Sequence, residues 1–185
     1  MENFDWTKFT IKIAVKAKLE EMYNAWTKAI EIEKWFLSEA EFSDENNVLL
    51  NKTQNVLKGD KYEWIWYLYD DIEKGSITEA NGKDELQFTF AGECLVDIKL
   101  REEFEYVIVE LTQKNIPLDD NAKRNIRLGC HNGWSFYLVN LKSVYEGGLD
   151  LRNKDNRFKP MLNNWGNGFS GEGKRNSGIR IFGGR

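Results

Sequence analysis

The sequence predicts an α+β domain in which a curved antiparallel sheet of about six or seven strands closes on a long C-terminal helix. Three observations predict it. Residues 62–112 break into short β-branched and aromatic runs with tight turns between them. Strands joined that closely pair antiparallel, because parallel neighbours need long crossovers. Residues 9–15 alternate as a further strand and lead into two short helical pieces. From Asp119 to Glu146, Ile126, Cys130, Trp134, Tyr137, Leu138, Leu141, Val144 and Tyr145 recur at steps of three and four, the period of one buried helix face. At 1.5 Å per residue such a helix is roughly 40 Å long and needs a long apolar surface to lie on.

Taken in order, Phe9, Ile11, Ile13 and Val15 share one face of a half-buried strand. Leu19, Met22, Tyr23, Trp26, Ala29 and Ile30 then switch to helical spacing, and a second short helical piece ends at Trp35-Phe36. No good capping residue precedes Leu19. Residues 39–42 suit a brief strand; residues 43–60 are polar and turn-rich around Val48-Leu49-Leu50. A strand over 62–69 would put Tyr62, Trp64, Trp66 and Leu68 on one side and Glu63, Ile65, Tyr67 and Tyr69 on the other. Strands over 76–80 and 85–90 flank Asn81-Gly82, a hairpin signal, and strands over 95–100 and 106–112 complete the meander. Asp119 or Asp120 caps the long helix, where its dipole favours a carboxylate, and Gly147-Gly148 supplies a left-handed stop. Gly129 and Gly133 inside it cost roughly 1 kcal/mol each relative to Ala. Both therefore point to a close backbone approach.

A chain of 185 residues, 41% apolar and 14% aromatic, suits one domain with a sizeable core, and 30% charged residues suit a soluble surface. No apolar run approaches about 18 residues, so no membrane span is expected. Residues 1–6 lack the basic flank and apolar stretch of a secretory signal. Cys94 and Cys130, with no CxxC pair, suit reduced thiols and a cytoplasmic location, with a disulfide between them left open. The net charge of −4 is uneven: eight Lys/Arg against two Asp/Glu from Arg152 onward give +6, which leaves −10 on the preceding residues. This divides the chain into a body, residues 1–151, and a basic Gly/Asn-rich tail, residues 152–185. An acidic body is a poor nucleic-acid binder, since phosphate contacts need clustered positive charge. In the tail, Phe158, Met161, Leu162, Trp165 and Phe169 keep helical steps and are expected to dock on Leu128, Phe136 and Val139, which lie off the main stripe of the long helix. Residues 166–178 carry too little apolar surface to offset the entropy of ordering.

Catalytic motifs are not prominent. His131 follows the stripe residue Cys130 and so falls at the edge of the buried face. A catalytic part would need a nucleophile or carboxylate within hydrogen-bond reach, and a satisfied or exposed histidine is the preferred reading. Cys130 reads as an inert packing residue. One His and two separated Cys do not make a zinc site, and no cofactor is implied. Asp70-Asp71 and Glu102-Glu103 are adjacent acids, but neighbours on a strand point oppositely, so solvated turn charge fits them better than paired chemistry. No phosphate-cradling glycine loop, GxSxG or HExxH is present. Nothing demands an enzyme.

Several motifs in this order carry a family resemblance: Ile13-Ala14-Val15-Lys16-Ala17 leading to Met22-Tyr23-Asn24-Ala25-Trp26, then Glu33-Lys34-Trp35-Phe36, Lys58-Gly59-Asp60-Lys61-Tyr62-Glu63-Trp64, Leu86-Gln87-Phe88-Thr89-Phe90, and finally Gly133-Trp134, Leu138 and Leu141-Lys142. Over roughly residues 8–151 the chain resembles the helix-grip superfamily of START lipid-transfer domains, pollen-allergen-like proteins and polyketide cyclases. Within it, the resemblance is to the subfamily named for activators of the heat-shock protein ninety ATPase. That family commonly has a double glycine near Gly59, where this chain has Asp60. The resemblance implies a cavity between sheet and closing helix that holds a lipid or other apolar ligand. Independently, Trp64, Trp66, Phe88 and Phe90 share a parity on adjacent strands, facing Trp134 and Leu138. With Trp35, these are the candidate ligand-binding residues, and plain core packing is the competing account. A non-enzymatic ligand binder is thus expected. A protein-interaction module or co-chaperone-like regulator is the alternative, and a cyclase- or hydrolase-type enzyme the weaker one.

Overall fold

The computed structural model describes residues 4–158. Seven strands form one antiparallel sheet: β1 (Phe9–Val15), β2 (Glu39–Ser43), β3 (Lys61–Ile65), β4 (Ile72–Ala80), β5 (Glu85–Thr89), β6 (Leu95–Glu103) and β7 (Tyr106–Lys114). Their order is β1-β7-β6-β5-β4-β3-β2, so β2 to β7 run as a meander and β1 joins beside β7. Helices α1 (Leu19–Thr27) and α2 (Ala29–Trp35) carry the chain from β1 to β2. A closing helix follows β7 and packs on β1 and α2. This is the α+β arrangement that the alternation and the tight turns predict, and the helix grip that the family resemblance implies.

Local chemistry explains the boundaries. The missing N-cap of α1 is replaced by Glu21, whose carboxylate accepts the Lys18 N–H at 2.8 Å. The β4–β5 turn is organised by Asn81, whose Oδ1 accepts the N–H groups of Lys83, Asp84 and Glu85. Gly82 takes φ +77°, a left-handed conformation that favours glycine. Asp60, in place of a second glycine, caps its own turn: its Oδ2 accepts the Leu57 N–H at 2.7 Å, and the side chain is buried. Gly75 leaves room for a neighbour, since a Cβ there would lie 2.5 Å from the Tyr62 ring.

Two expectations are corrected. The strand expected over 62–69 stops at Ile65, because Leu68 adopts φ +70° and the Tyr69 N–H bonds back to the Trp66 carbonyl. The closing helix is not uniform. It starts as α3 (Asp120–Ala122), passes through a π-helical stretch (Lys123–Leu128) and continues as α4 (Gly129–Tyr145). Its ends follow the sequence reading. Asp119 Oδ1 accepts the Ala122 N–H at 3.0 Å. At the other end the Gly148 and Gly147 N–H groups bond to the Ser143 and Val144 carbonyls, with Gly147 at φ +79°. Gly129 sits where the π stretch meets α4, and an added Cβ there would make only an ordinary 3.8 Å contact with the Arg124 carbonyl oxygen. It serves no close approach.

Beyond α4 the chain straps back over the body. Asn140, fully buried, donates to the Trp35 carbonyl at 2.7 Å and accepts the Leu151 N–H at 2.7 Å. Arg152 is buried as well, donating to the carbonyls of Leu37, Glu33 and Lys34 and to Asp150. It thereby caps the C-terminal end of α2, and the packed structure runs on through Arg152. Of the apolar tail residues, Phe158 closes a short 3-10 turn (Asn156–Phe158). The docking expected of Met161, Leu162, Trp165 and Phe169 falls outside the described residues.

Candidate functional site

The inward face of the sheet is built from cross-strand rows. One row runs Ile77–Phe88–Val96–Gln113–Phe9 across β4, β5, β6, β7 and β1. Another joins Ala40, Trp64 and Glu73 across β2, β3 and β4. A bulge in β4 between Ile77 and Glu79 shifts the inward parity, so that Ala80 rather than Glu79 pairs with Leu86. The residues facing α4 are mostly rings.

All seven candidate residues, Trp35, Trp64, Trp66, Phe88, Phe90, Trp134 and Leu138, are buried in this interior. Trp64 lies edge-on to Phe88 at 5.3 Å, Phe90 lies 5.1 Å from Trp134, and Trp66 approaches Phe90 at 6.3 Å. Such separations are within the favourable range for aromatic pairs. Trp35 reaches the others through Phe36. The Phe36 ring stacks on Trp35 at 5.2 Å and on Trp134 at 4.9 Å, and meets Trp64, Trp66 and Tyr137 edge-on. It is the hub of the cluster. In the sequence it stood as the end of a helical piece and as part of a family motif, with no periodicity to mark its direction.

Two polar side chains share this interior. Gln113 is fully buried, and its Oε1 accepts the Trp134 indole N–H at 3.1 Å. Its amide also lies by the thiols of Cys94 and Cys130, favouring their ionised form, but burial prevails and pushes both thiols up. Both cysteines are free. Glu73 turns its carboxyl inward beside Trp64, and its Oε1 accepts the Ala91 N–H at 2.8 Å. Burial raises its pKa against the lowering effect of that hydrogen bond. The Tyr62 hydroxyl donates to the Thr89 carbonyl at 2.5 Å, and its ring stacks on Trp64 at 3.8 Å. Sequence reasoning missed Gln113 and Glu73. A signal for Gln113 existed: it follows Val107, Val109 and Leu111 at strand parity, a polar residue on an apolar face.

His131 is half-buried at the rim, its ring edge-on to Phe9 at 5.2 Å. Among the described residues, no group of His, Cys, Asp and Glu is placed to hold a metal ion, and no helix is long and apolar enough to cross a membrane.

A seven-stranded sheet gripping a C-terminal helix over a ring-lined interior defines a START-like, helix-grip protein. The family model described as "Activator of Hsp90 ATPase homolog 1-like protein" matches residues 16–146, and the chain belongs to that family. Solved structures share the fold. A protein from Staphylococcus saprophyticus aligns with a TM-score of 0.63 at 20% identity, covering 78% of this chain and 96% of its own. The Aha1 dimer from Colwellia psychrerythraea gives 0.60 at 16% identity, covering 76% and 97%. A protein from Nitrosomonas europaea gives 0.62 at 12% identity, covering 78% and 97%. At these identities the likeness shows the fold alone. No curated protein matches the chain.

Proposed function

We propose that this protein is a cytoplasmic, non-enzymatic START-like domain that binds a small, largely apolar or aromatic ligand between the sheet and α4. The observation that carries this reading is the placement of Gln113 against Trp134 and of Glu73 beside Trp64 on the ring-lined face of the sheet. A core selected only for stability gains little by burying an amide and half-burying a carboxyl, since both cost free energy to desolvate. An apolar site with a few placed polar groups is the usual character of a ligand pocket. Native mass spectrometry on protein purified without denaturation tests it. The expected result is a mass excess of a few hundred daltons that disappears on denaturation. A bare chain mass from every expression host, together with no binding of added aromatic compounds, would sink the reading.

A second reading, a regulator of a heat-shock chaperone ATPase, draws on the family description and on the outer side of the closing segment. There Leu128, Val139, Leu149 and Leu151 are all exposed, on a body whose sequence is acidic. Exposed apolar residues rimmed by charge suit a protein partner. Under this reading the purified protein raises the ATPase rate of the chaperone, and Val139→Lys with Leu149→Lys abolishes the effect while the fold persists. An unchanged rate with the wild-type protein removes it.

A further inference from the structure

Two arginines are buried among the described residues, and the fold provides for them differently. Arg152 donates to three carbonyls and to the Asp150 carboxylate. Arg127, only 8% exposed, makes no hydrogen bond or ion pair with any described residue, and its Nε is sealed from solvent. It stands three residues before Cys130, on the stripe that continues through Trp134 and Leu138, so the helix turns a cation to its packed side. The guanidinium packs against the rings of Phe4, at 5.0 Å, and Phe9, at 4.9 Å. His131, about one turn further on, meets Phe9 edge-on at 5.2 Å. Rings favour a cation, but they offer no oxygen to its five N–H groups. Asp5, whose charge acts on Arg127, is engaged elsewhere. Its Oδ1 accepts the Thr7 N–H at 2.9 Å and the Thr7 hydroxyl at 2.6 Å, and its Oδ2 meets Lys8 at 3.9 Å. Burial pulls the Arg127 pKa down by more than Asp5 raises it. Buried charges are normally paired, so a guanidinium left in this way calls for a counterion from outside the chain.

The segment before β1 holds the outer wall in place. The Thr7 carbonyl accepts the Ile116 N–H at 3.0 Å, which ties this arm to the chain after β7, and the Phe4 ring lies edge-on to Trp6 at 4.8 Å. Arg127 itself belongs to the π stretch, and such departures from α geometry recur at functional sites. We propose that Arg127, walled by Phe4 and Phe9, binds the carboxylate of a small organic acid at a site separate from the ring cluster around Phe36. A guanidinium takes a carboxylate through two parallel N–H···O bonds. One guanidinium answers one negative charge, and the acidic body repels a phosphate dianion. The site does not depend on the ligand reading of the interior.

Benzoate and benzamide, of one size and differing in charge, test the proposal on the full chain. Binding is followed through the arginine Nε–H resonances of 15N-labelled protein, with the Arg127 signal assigned by its loss in Arg127→Lys. Benzoate is expected to bind at least tenfold more tightly than benzamide and to move the Arg127 signal downfield. Arg127→Lys keeps the charge but loses the paired donors, and should weaken benzoate at least fivefold with the circular dichroism unchanged. Phe4→Ala, which truncates an exposed ring, is the second variant should the first fail to fold, and should weaken benzoate at least threefold. Equal binding of the two probes, or no movement of the Arg127 signal with benzoate, overturns the site. Inorganic phosphate binding more tightly than benzoate overturns the assignment to a carboxylate. Movement with dodecanoate but not with benzoate would make Arg127 an appendage of the interior, and overturns a separate site.

Discussion

Glu73 illustrates how a single side chain separates packing from function. Its carboxyl faces the rings, and burial raises its pKa. An acid whose folded pKa exceeds its unfolded value is destabilising wherever the unfolded chain would ionise it, and the penalty vanishes once both states are protonated. Glu73→Gln keeps an acceptor for the Ala91 N–H and removes the charge. It is therefore expected to raise the melting temperature at pH 7, with the advantage fading as the pH falls toward about 4, the ordinary carboxylate range. A thermal melt series over that range checks it, and a variant less stable than wild type at pH 7 contradicts the account. That Glu73 faces inward was not legible in the sequence. Its orientation depends on β3 ending at Ile65 and β4 starting at Ile72, and the aromatic run over 62–69 concealed both limits. Trp64, Phe88 and Trp134 were legible, because period-2 and period-3.6 spacing assign a face without tertiary knowledge.

At the level of elements, the closing helix divides into what spacing reveals and what it hides. Asp119 at one end and Gly147-Gly148 at the other act as their residue types predict. The π stretch over Lys123–Leu128 left no mark in the apolar pattern: Ile126, on the stripe by spacing, is only half-buried against the core, while its neighbour Arg127 is buried. A π turn corresponds to one extra residue in an α-helix and costs hydrogen-bond quality. Deleting Asn125, an exposed-side polar residue that bonds only to Asn121 among the described residues, should let the stretch relax to α geometry. The expected stability change is small, within about 1 kcal/mol on the scale of ordinary surface changes. Deleting Asn132 inside α4 should instead rotate the stripe by a third of a turn and unfold the domain. Chemical denaturation of the two variants compares them, and equal losses would refute the distinction.

For the molecule as a whole, the strap after α4 decides where the domain ends. Composition separates an acidic body from a basic tail at Arg152, yet Arg152 is buried against α2 carbonyls more than a hundred positions earlier. Composition cannot register such a partnership, because its acceptors are backbone groups that every residue carries. Hydrogen bonds from Arg152 and Lys154 outweigh burial and hold the Asp150 carboxyl far below its usual range. A depressed carboxylate pKa stabilises the fold above the unfolded pKa, and the benefit is lost as the pH drops below about 4. A chain ending at residue 158 should melt like the full chain. One ending at residue 148 loses both Asp150 and Arg152 and leaves the carbonyls of Glu33, Lys34 and Leu37 without these donors, so it should be less stable than the full chain by about 1–3 kcal/mol, the cost of buried groups left unpaired. The gap between them should narrow in acid; a gap constant from pH 7 to pH 3 would show that Asp150 contributes nothing through its charge.

The pairing of β1 with β7 has a consequence for how the chain is made. Phe9 to Val15 leave the ribosome early, but their hydrogen-bonding neighbour is Tyr106 to Lys114. At roughly 5–20 residues per second, the first strand waits on the order of 5–20 seconds for a mate. Throughout that interval a nascent amphipathic ribbon is unpaired and open to strange company, and protection during translation matters more for this segment than for any strand of the meander.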